Sequence, residues 1–184
     1  MVKVLAISGS LREQSGNTAL LRALENRAPA GWSVSLRVPR SFPVYDEDIQ
    51  KQGWPAPVLE LERDIRNADC VVISTPEYNY SIPGGLKNVI DWISRLPDQP
   101  FKGKLVGIMG ASSGRLGAVR AQLHLRQCFQ FLDSRVLSRP EVIIGNIVQA
   151  FQNGVLTDPG GREALDAFIA ALGLQISASR TPSA

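Results

Sequence analysis

Ser8-Gly9-Ser10-Leu11-Arg12-Glu13-Gln14-Ser15-Gly16-Asn17-Thr18 stands between two apolar stretches of different periodicity. Residues 1–7 before it are short, β-branched and almost wholly apolar, the pattern of a parallel strand buried on both faces. After it, Ala19, Leu20, Leu21, Leu24 and Ala28 recur at steps of three and four, which gives one apolar helix face. A loop at that junction lies at the carboxyl end of the strand and the amino end of the helix, where free backbone N–H groups and the helix dipole favour an anion. The hydroxyls of Ser8, Ser10, Ser15 and Thr18, the amide of Asn17 and the guanidinium of Arg12 are the candidate phosphate donors. One fixed cation among neutral donors suits a monophosphate. The Walker pattern that ends in Lys and then Ser or Thr is absent from this loop. Ser and Asn also gather at helix N-caps for stability alone.

The rest of the chain repeats the alternation of strand and helix. Ser33–Val38 alternates like a strand exposed on one side, and Arg40–Pro57, rich in proline, reads as irregular, with Asp46-Glu47-Asp48 as a solvated turn. Val58, Leu59, Leu61, Ile65 and Ala68 give a second helix, Cys70–Thr75 a third strand, and Leu86, Val89, Ile90, Trp92 and Ile93 a third helix. Leu105–Met109 is the fourth strand, 118–131 the fourth helix, Arg135–Leu137 with a continuation near 141–144 the fifth strand, and 161–176 the closing helix. Five βα units predict an α/β fold: a doubly wound five-stranded parallel sheet in the order 2-1-3-4-5 with helices on both faces. The switch point then falls between strands 1 and 3. The Ser10 loop and the loop that begins at Pro76 should therefore border one crevice, with the Gly110 loop on its far side.

The 184 residues fit one domain, 1–184. With 44% apolar and 20% charged residues and no run of about 20 apolar residues, no membrane partner is expected, and the N-terminus carries no leader pattern, which points to the cytoplasm. A net charge of +3, scattered rather than striped, gives no reason to expect nucleic acid. Cys70 and Cys128 read as buried reduced thiols. The single histidine, His124, removes His-based metal clusters and makes a Ser/His/Asp triad improbable. No metal site is expected.

Gly9-Ser10-Leu11-Arg12 with Ser15 and Asn17, then Thr75-Pro76-Glu77-Tyr78-Asn79-Tyr80-Ser81-Ile82-Pro83-Gly84-Gly85-Leu86-Lys87-Asn88 and Asp91-Trp92, closely resembles the NADPH-dependent FMN reductase family. Within it the likeness is to the bacterial quinone and chromate reductases, and it extends to Pro43-Val44-Tyr45-Asp46 and Arg120-Ala121-Gln122. The resemblance implies a flavodoxin-like domain that holds FMN without a covalent bond and takes NADPH or NADH as co-substrate. It places Ser10, Arg12, Ser15, Asn17 and Thr18 around the phosphate, Pro76, Glu77, Tyr78 and Asn79 along the isoalloxazine, and Ser112, Ser113 and Gly114 near its other edge. It implies ping-pong hydride transfer through flavin N5 to quinones or other small acceptors such as chromate, azo or nitro compounds. No side chain is required as acid or base, so no catalytic residue is assigned; Tyr78 and Arg120 are the candidates for contact with substrate. It also implies a homodimer or homotetramer, with Arg120 and Glu141 at contacts between subunits and Leu123 where relatives tend to carry an aromatic hydroxyl. Two other readings share this fold: a flavodoxin-type electron carrier, which is typically acidic where this chain has a pI near 9.1, and a flavin-free regulatory module.

Overall fold

The apolar runs form the strands expected of them. The computed structural model describes residues 1–180, in chain order β1 (Val2–Ser8), α1 (Gly16–Arg27), β2 (Trp32–Arg37), α2 (Glu47–Gln52), α3 (Ala56–Asn67), β3 (Cys70–Thr75), α4 (Gly84–Ser94), β4 (Leu105–Ala111), α5 (Val119–Phe131), β5 (Arg135–Val136), β6 (Val142–Ile144), α6 (Ile147–Ala150), β7 (Phe151–Gln152), β8 (Val155–Leu156) and α7 (Pro159–Arg180). The main sheet is parallel and runs β2-β1-β3-β4-β5, with β6 also paired to β4. This is the flavodoxin-like order 2-1-3-4-5 expected from the βα alternation. The fifth strand is in two pieces: β5 pairs with β4 at Leu105 and Val106, and β6 pairs with it again at Met109–Ala111.

Alternate residues of each central strand face opposite layers, as a period of two requires. Val4 and Ala6 of β1, Cys70 and Val72 of β3, and Leu105 and Met109 of β4 pack with Leu20, Leu21 and Leu24 of α1 and with Leu165, Phe168 and Leu172 of α7. Leu5, Ile7, Val71, Ile73, Val106 and Ile108 pack on the other face with α3, α4 and α5. Each fully buried aliphatic side chain contributes about 1.5–3 kcal/mol. The two layers thus hold the strands from both sides and leave the carboxyl ends of β1, β3 and β4 at one edge.

Two expectations need correction, and one element was not anticipated. Residues 40–57 are not irregular throughout: Asp46 caps α2 by accepting from the N–H of Asp48 at 2.8 Å, while Glu47 and Asp48 occupy its first turn, where the helix dipole favours carboxylates. The acidic trio is therefore a helix start rather than a turn. Phe151–Leu156 is a small antiparallel hairpin. Its Asn153 and Gly154 both have positive φ, the two-residue turn that an Asn-Gly pair signals. Cys70 is buried and its thiol is pushed up to about 12 by that burial, with the nearby Asp69 carboxylate adding to the effect. Cys128, by contrast, is only half buried, and both thiols are free.

Half of the long motif after β3 turns out to be structural. Pro43 offers its carbonyl to both Asn88 Nδ2 and Trp92 Nε1, each at 2.8 Å, and Asn88 Oδ1 accepts from the N–H of Tyr45 at 2.7 Å. Tyr45 and Trp92 meet edge to face at 5.0 Å between centroids. These contacts pin the segment after β2 onto α4 and do not reach the crevice.

Candidate functional site

The carboxyl-edge loops are drawn together by the side chain of Asn17, which is 3% exposed. Asn17 Oδ1 accepts from Ser74 Oγ at 2.8 Å and from the N–H of Ala111 at 2.9 Å, and its Nδ2 donates to the carbonyl of Ala111 at 2.9 Å. One amide therefore ties the start of α1 to the ends of β3 and β4. That amide, expected as a phosphate donor, spends its oxygen and one of its two N–H donors on bracing the edge. Gly9 follows β1 so closely past β3 that an added Cβ would stand 3.1 Å from Thr75 Oγ1 and 3.2 Å from the carbonyl of Ser74.

The expected phosphate loop has the geometry of a donor cup. Ser15 caps α1, accepting from the N–H of Thr18 at 3.3 Å. Gly16 and Asn17, the first two helical residues, have no intrahelical partner for their N–H groups. Thr18 Oγ1 and Ser8 Oγ are 2.8 Å apart, and Ser8 Oγ is 3.0 Å from the carbonyl of Ser10. If Ser8 gives its proton to Thr18, the Thr18 proton becomes free for an anion, so this hydroxyl pair can serve a ligand or the loop alone. Arg12 is exposed, and Arg40 steadies the loop beside it by donating to the carbonyl of Leu11.

The turn after β3 is held by α5. Tyr78 and Ser81 exchange backbone hydrogen bonds of 3.0 Å around Asn79 and Tyr80, both in the left-handed region at φ 49° and 66°. For a tyrosine that conformation costs roughly 1–2 kcal/mol. Glu77 offsets it from the other side: Oε1 pairs with the Arg120 guanidinium at 2.5 Å, and Oε2 accepts from the N–H groups of Arg120 and Ala121 at 3.1 and 3.4 Å. Glu77 is thus the cap that α5 lacks locally, since Ala118 at its start offers no side-chain hydrogen bond. Arg120 also lies over the ring of Tyr80 at 3.8 Å, and Ser81 Oγ meets His124 Nδ1 at 3.0 Å.

These loops share one cleft of about 900 Å3, lined among others by Ser10, Arg12, Pro76, Tyr78, Ser112 and Ser113. Ser15, Asn17, Thr18 and Glu77 also border it. Asn79, Gly114 and Arg120 do not. Asn79 shapes the turn, Gly114 spends its carbonyl on Ser112 Oγ and on the N–H of Asn146, and Arg120 is committed to Glu77 and Tyr80. The wall opposite the Tyr78 turn was not anticipated. It comes from Arg22, from α6 and from the β7–β8 hairpin. Gly16 lies against that wall so tightly that a Cβ there would meet Ile147 Cδ1 at 1.8 Å. The Asn153-Gly154 pair was the sequence signal for the hairpin.

No group of three or more His, Cys, Asp or Glu capable of holding a metal occurs among the described residues. No helix among them is long and apolar enough to cross a membrane. A cleft at the switch point, with a polar cup at the α1 end and an aromatic turn at the other, is an arrangement built for a phosphorylated planar ligand. Known proteins resemble the chain in sequence and in fold. The sequence model for NADPH-dependent FMN reductase matches residues 2–149. An NAD(P)H-dependent FMN reductase of Pseudomonas aeruginosa is 47% identical over 176 residues, which cover 95% of either chain. A quinone reductase of Escherichia coli (strain K12) is 46% identical over 177 residues, 94% of either chain. Among solved structures, the flavoenzyme NAD(P)H:(acceptor) oxidoreductase FerB from Paracoccus denitrificans superposes with a TM-score of 0.88 at 33% identity, covering 97% of this chain and 98% of its own. A family match across residues 2–149, joined to near-full-length identity of this order, settles the question that the cleft raised: the chain belongs to the NADPH-dependent FMN reductase family.

Proposed function

We propose that this protein binds FMN non-covalently in the cleft and uses it to carry electrons from NADPH or NADH to quinones and similar small acceptors. The observation that carries this reading is the convergence of three distant loops, at Ser10–Arg12, Pro76–Tyr78 and Ser112–Ser113, on one cleft. The donor set fits the cofactor. Ser10, Ser15, Thr18, Arg12 and the free N–H groups of Gly16 and Asn17 would hold the phosphate. The backbone from Pro76 to Tyr78 would line the ring on one edge and Ser112–Ser113 on the other, with Tyr78, 46% exposed, as the aromatic surface at the entrance. Glu77 would contribute its backbone there, because its carboxylate is spent on α5.

FMN held there would supply the redox chemistry, the uptake of a hydride from the nicotinamide and the return of electrons to the acceptor. The chain's part is to bind, orient and stabilise. The N–H groups of Glu77 and Ser113 make no backbone hydrogen bond within the described residues and border the ring end of the cleft, where they would meet negative charge that develops on the ring edge. No acid or base is assigned. Tyr78 remains the proposed substrate contact, whereas Arg120 acts through the turn that it clamps.

We also propose a homodimer or homotetramer in a single-domain chain. Leu123 and Phe131 of α5 stand 50% and 88% exposed, an apolar surface of the sort that subunits cover. Glu141, paired only loosely with Arg139 at 4.0 Å, would be available to a neighbouring subunit.

Steady-state turnover with NADPH and with NADH against a panel of quinones tests the activity. Sustained nicotinamide oxidation that depends on the quinone is expected, and stoichiometric reduction without turnover would indicate a carrier instead. Arg12→Ala should weaken FMN by about 1.5–3 kcal/mol, the scale of a hydrogen bond to a charged group, or roughly 10- to 150-fold in Kd. Flavin fluorescence titration reads this directly, and an unchanged Kd would remove Arg12 from the phosphate site.

A further inference from the structure

The cleft does not end at the start of α1. Beyond Gly16 it continues between α1 and the α6–hairpin wall, where Arg22, Val148, Phe151 and Asn153 line it. None of these is needed to cradle a single phosphate, and together they make an unusual surface. Arg22 sits six residues after Gly16, about 9 Å of helix rise further along α1, and lines the cleft there. No hydrogen bond or ion pair engages its guanidinium among the described residues. Val148 is 81% exposed although it borders a cleft, and Phe151 is half buried, anchored from behind by the α1–α7 core layer. Asn153 presents its amide at the tip of the hairpin turn.

An unpaired guanidinium beside apolar and aromatic side chains, with an amide at the margin, matches a phosphate followed by a flat heteroaromatic base. The room is there as well. About 900 Å3 lies near the upper end of the roughly 300–1,000 Å3 that small-ligand pockets span. We propose that this extension binds the adenosine phosphate of FAD, so that the protein accepts the dinucleotide as well as FMN. The inference rests on the reading of the cleft as a flavin site.

Position favours FAD over the adenosine end of the nicotinamide co-substrate. The extension opens next to the phosphate cup and packs on the α1–α7 layer. The Tyr78 turn, where a nicotinamide must reach the ring, is clamped to α5 on the opposite face of the sheet. The second phosphate of FAD is joined to the first, so an adenylate that leaves the cup enters this channel directly.

The test is a fluorescence titration of the full-length protein, stripped of bound nucleotide, with FMN and with FAD, in wild type, Val148→Glu and Arg22→Ala. Both variants alter exposed side chains without partners, so folding should survive. The expected result is FAD affinity within tenfold of FMN in wild type, lowered at least tenfold by each variant while FMN affinity changes less than threefold. FAD binding more than a hundredfold weaker than FMN in wild type would overturn the proposal, and so would equal weakening of both flavins by the variants. A rise in KM for NADPH with FAD affinity unchanged would also overturn it and give the channel to the co-substrate. Failure of wild type to bind either flavin would instead strike at the reading of the cleft itself.

Discussion

Asn17→Leu is expected to lower folding stability by about 3 kcal/mol or more and to remove measurable FMN binding. Leucine branches at the same Cγ and is the larger side chain, so no cavity opens, and the loss is one of hydrogen bonds with crowding of the buried site added to it. Leucine leaves the N–H and carbonyl of Ala111 without their partner, and Ser74 Oγ must find another. A buried polar group that loses its partner costs about 1–3 kcal/mol. Ser74 can rotate, but the two backbone groups of Ala111 cannot. Against a total stability of about 5–15 kcal/mol for a typical domain, this is a large fraction. The effect on binding follows from place rather than contact: without the brace, the α1 start, the end of β3 and the end of β4 are free to separate, and the three cleft loops go with them. Urea unfolding monitored by tryptophan fluorescence, beside a flavin titration, measures both. An unchanged unfolding midpoint would show that the brace carries no weight.

Glu77→Ala is expected to cost about 2–4 kcal/mol and to raise KM for the acceptor. The carboxylate, with its side chain only 12% exposed, makes an ion pair and two hydrogen bonds to the α5 start. Hydrogen bonds to charged groups are each worth about 1.5–3 kcal/mol, with overlap between bonds made by one carboxylate. Its loss uncaps α5 and leaves the strained Asn79–Tyr80 turn held by its own two backbone bonds, by His124 and by an Arg120 that has lost its carboxylate partner. Tyr78 then loses its fixed position at the cleft mouth. Glu77→Gln supplies the discriminating control. Its amide oxygen can still accept from the helix N–H groups, so about half of the stability should return, while the ion pair to Arg120 does not. Urea midpoints rank the three proteins, and equal midpoints for Ala and Gln would mean that capping contributes nothing.

Much of the fold was legible because it depends on residue patterns that act locally. Apolar runs at 1–7, 70–75 and 105–109 can be buried only between two helical layers, and that constraint alone leads to the parallel sheet. The crevice followed from strand order. What sequence could not supply was the use of side chains that act across the chain. Asn17 looks like a phosphate donor beside its loop neighbours, yet its partners Ser74 and Ala111 are 57 and 94 residues away. Glu77 looks like part of a ring-binding turn, while its carboxylate serves a helix that begins more than forty residues later. Asp46-Glu47-Asp48 and Asn153-Gly154 were missed for a different reason. Their signals were local, but the short elements that they start lie among residues with no strong periodicity to frame them.

The central claim is that the redox work belongs to one bound flavin, held where the Arg12 and Tyr78 loops meet, and to no amino acid. Protein freed of flavin, titrated with FMN while quinone-dependent NADPH oxidation is followed, tests it most directly. The account predicts negligible turnover at the outset and a linear rise that stops at one FMN per chain. Turnover that is already complete before any FMN is added, or that ignores it throughout, would contradict the account.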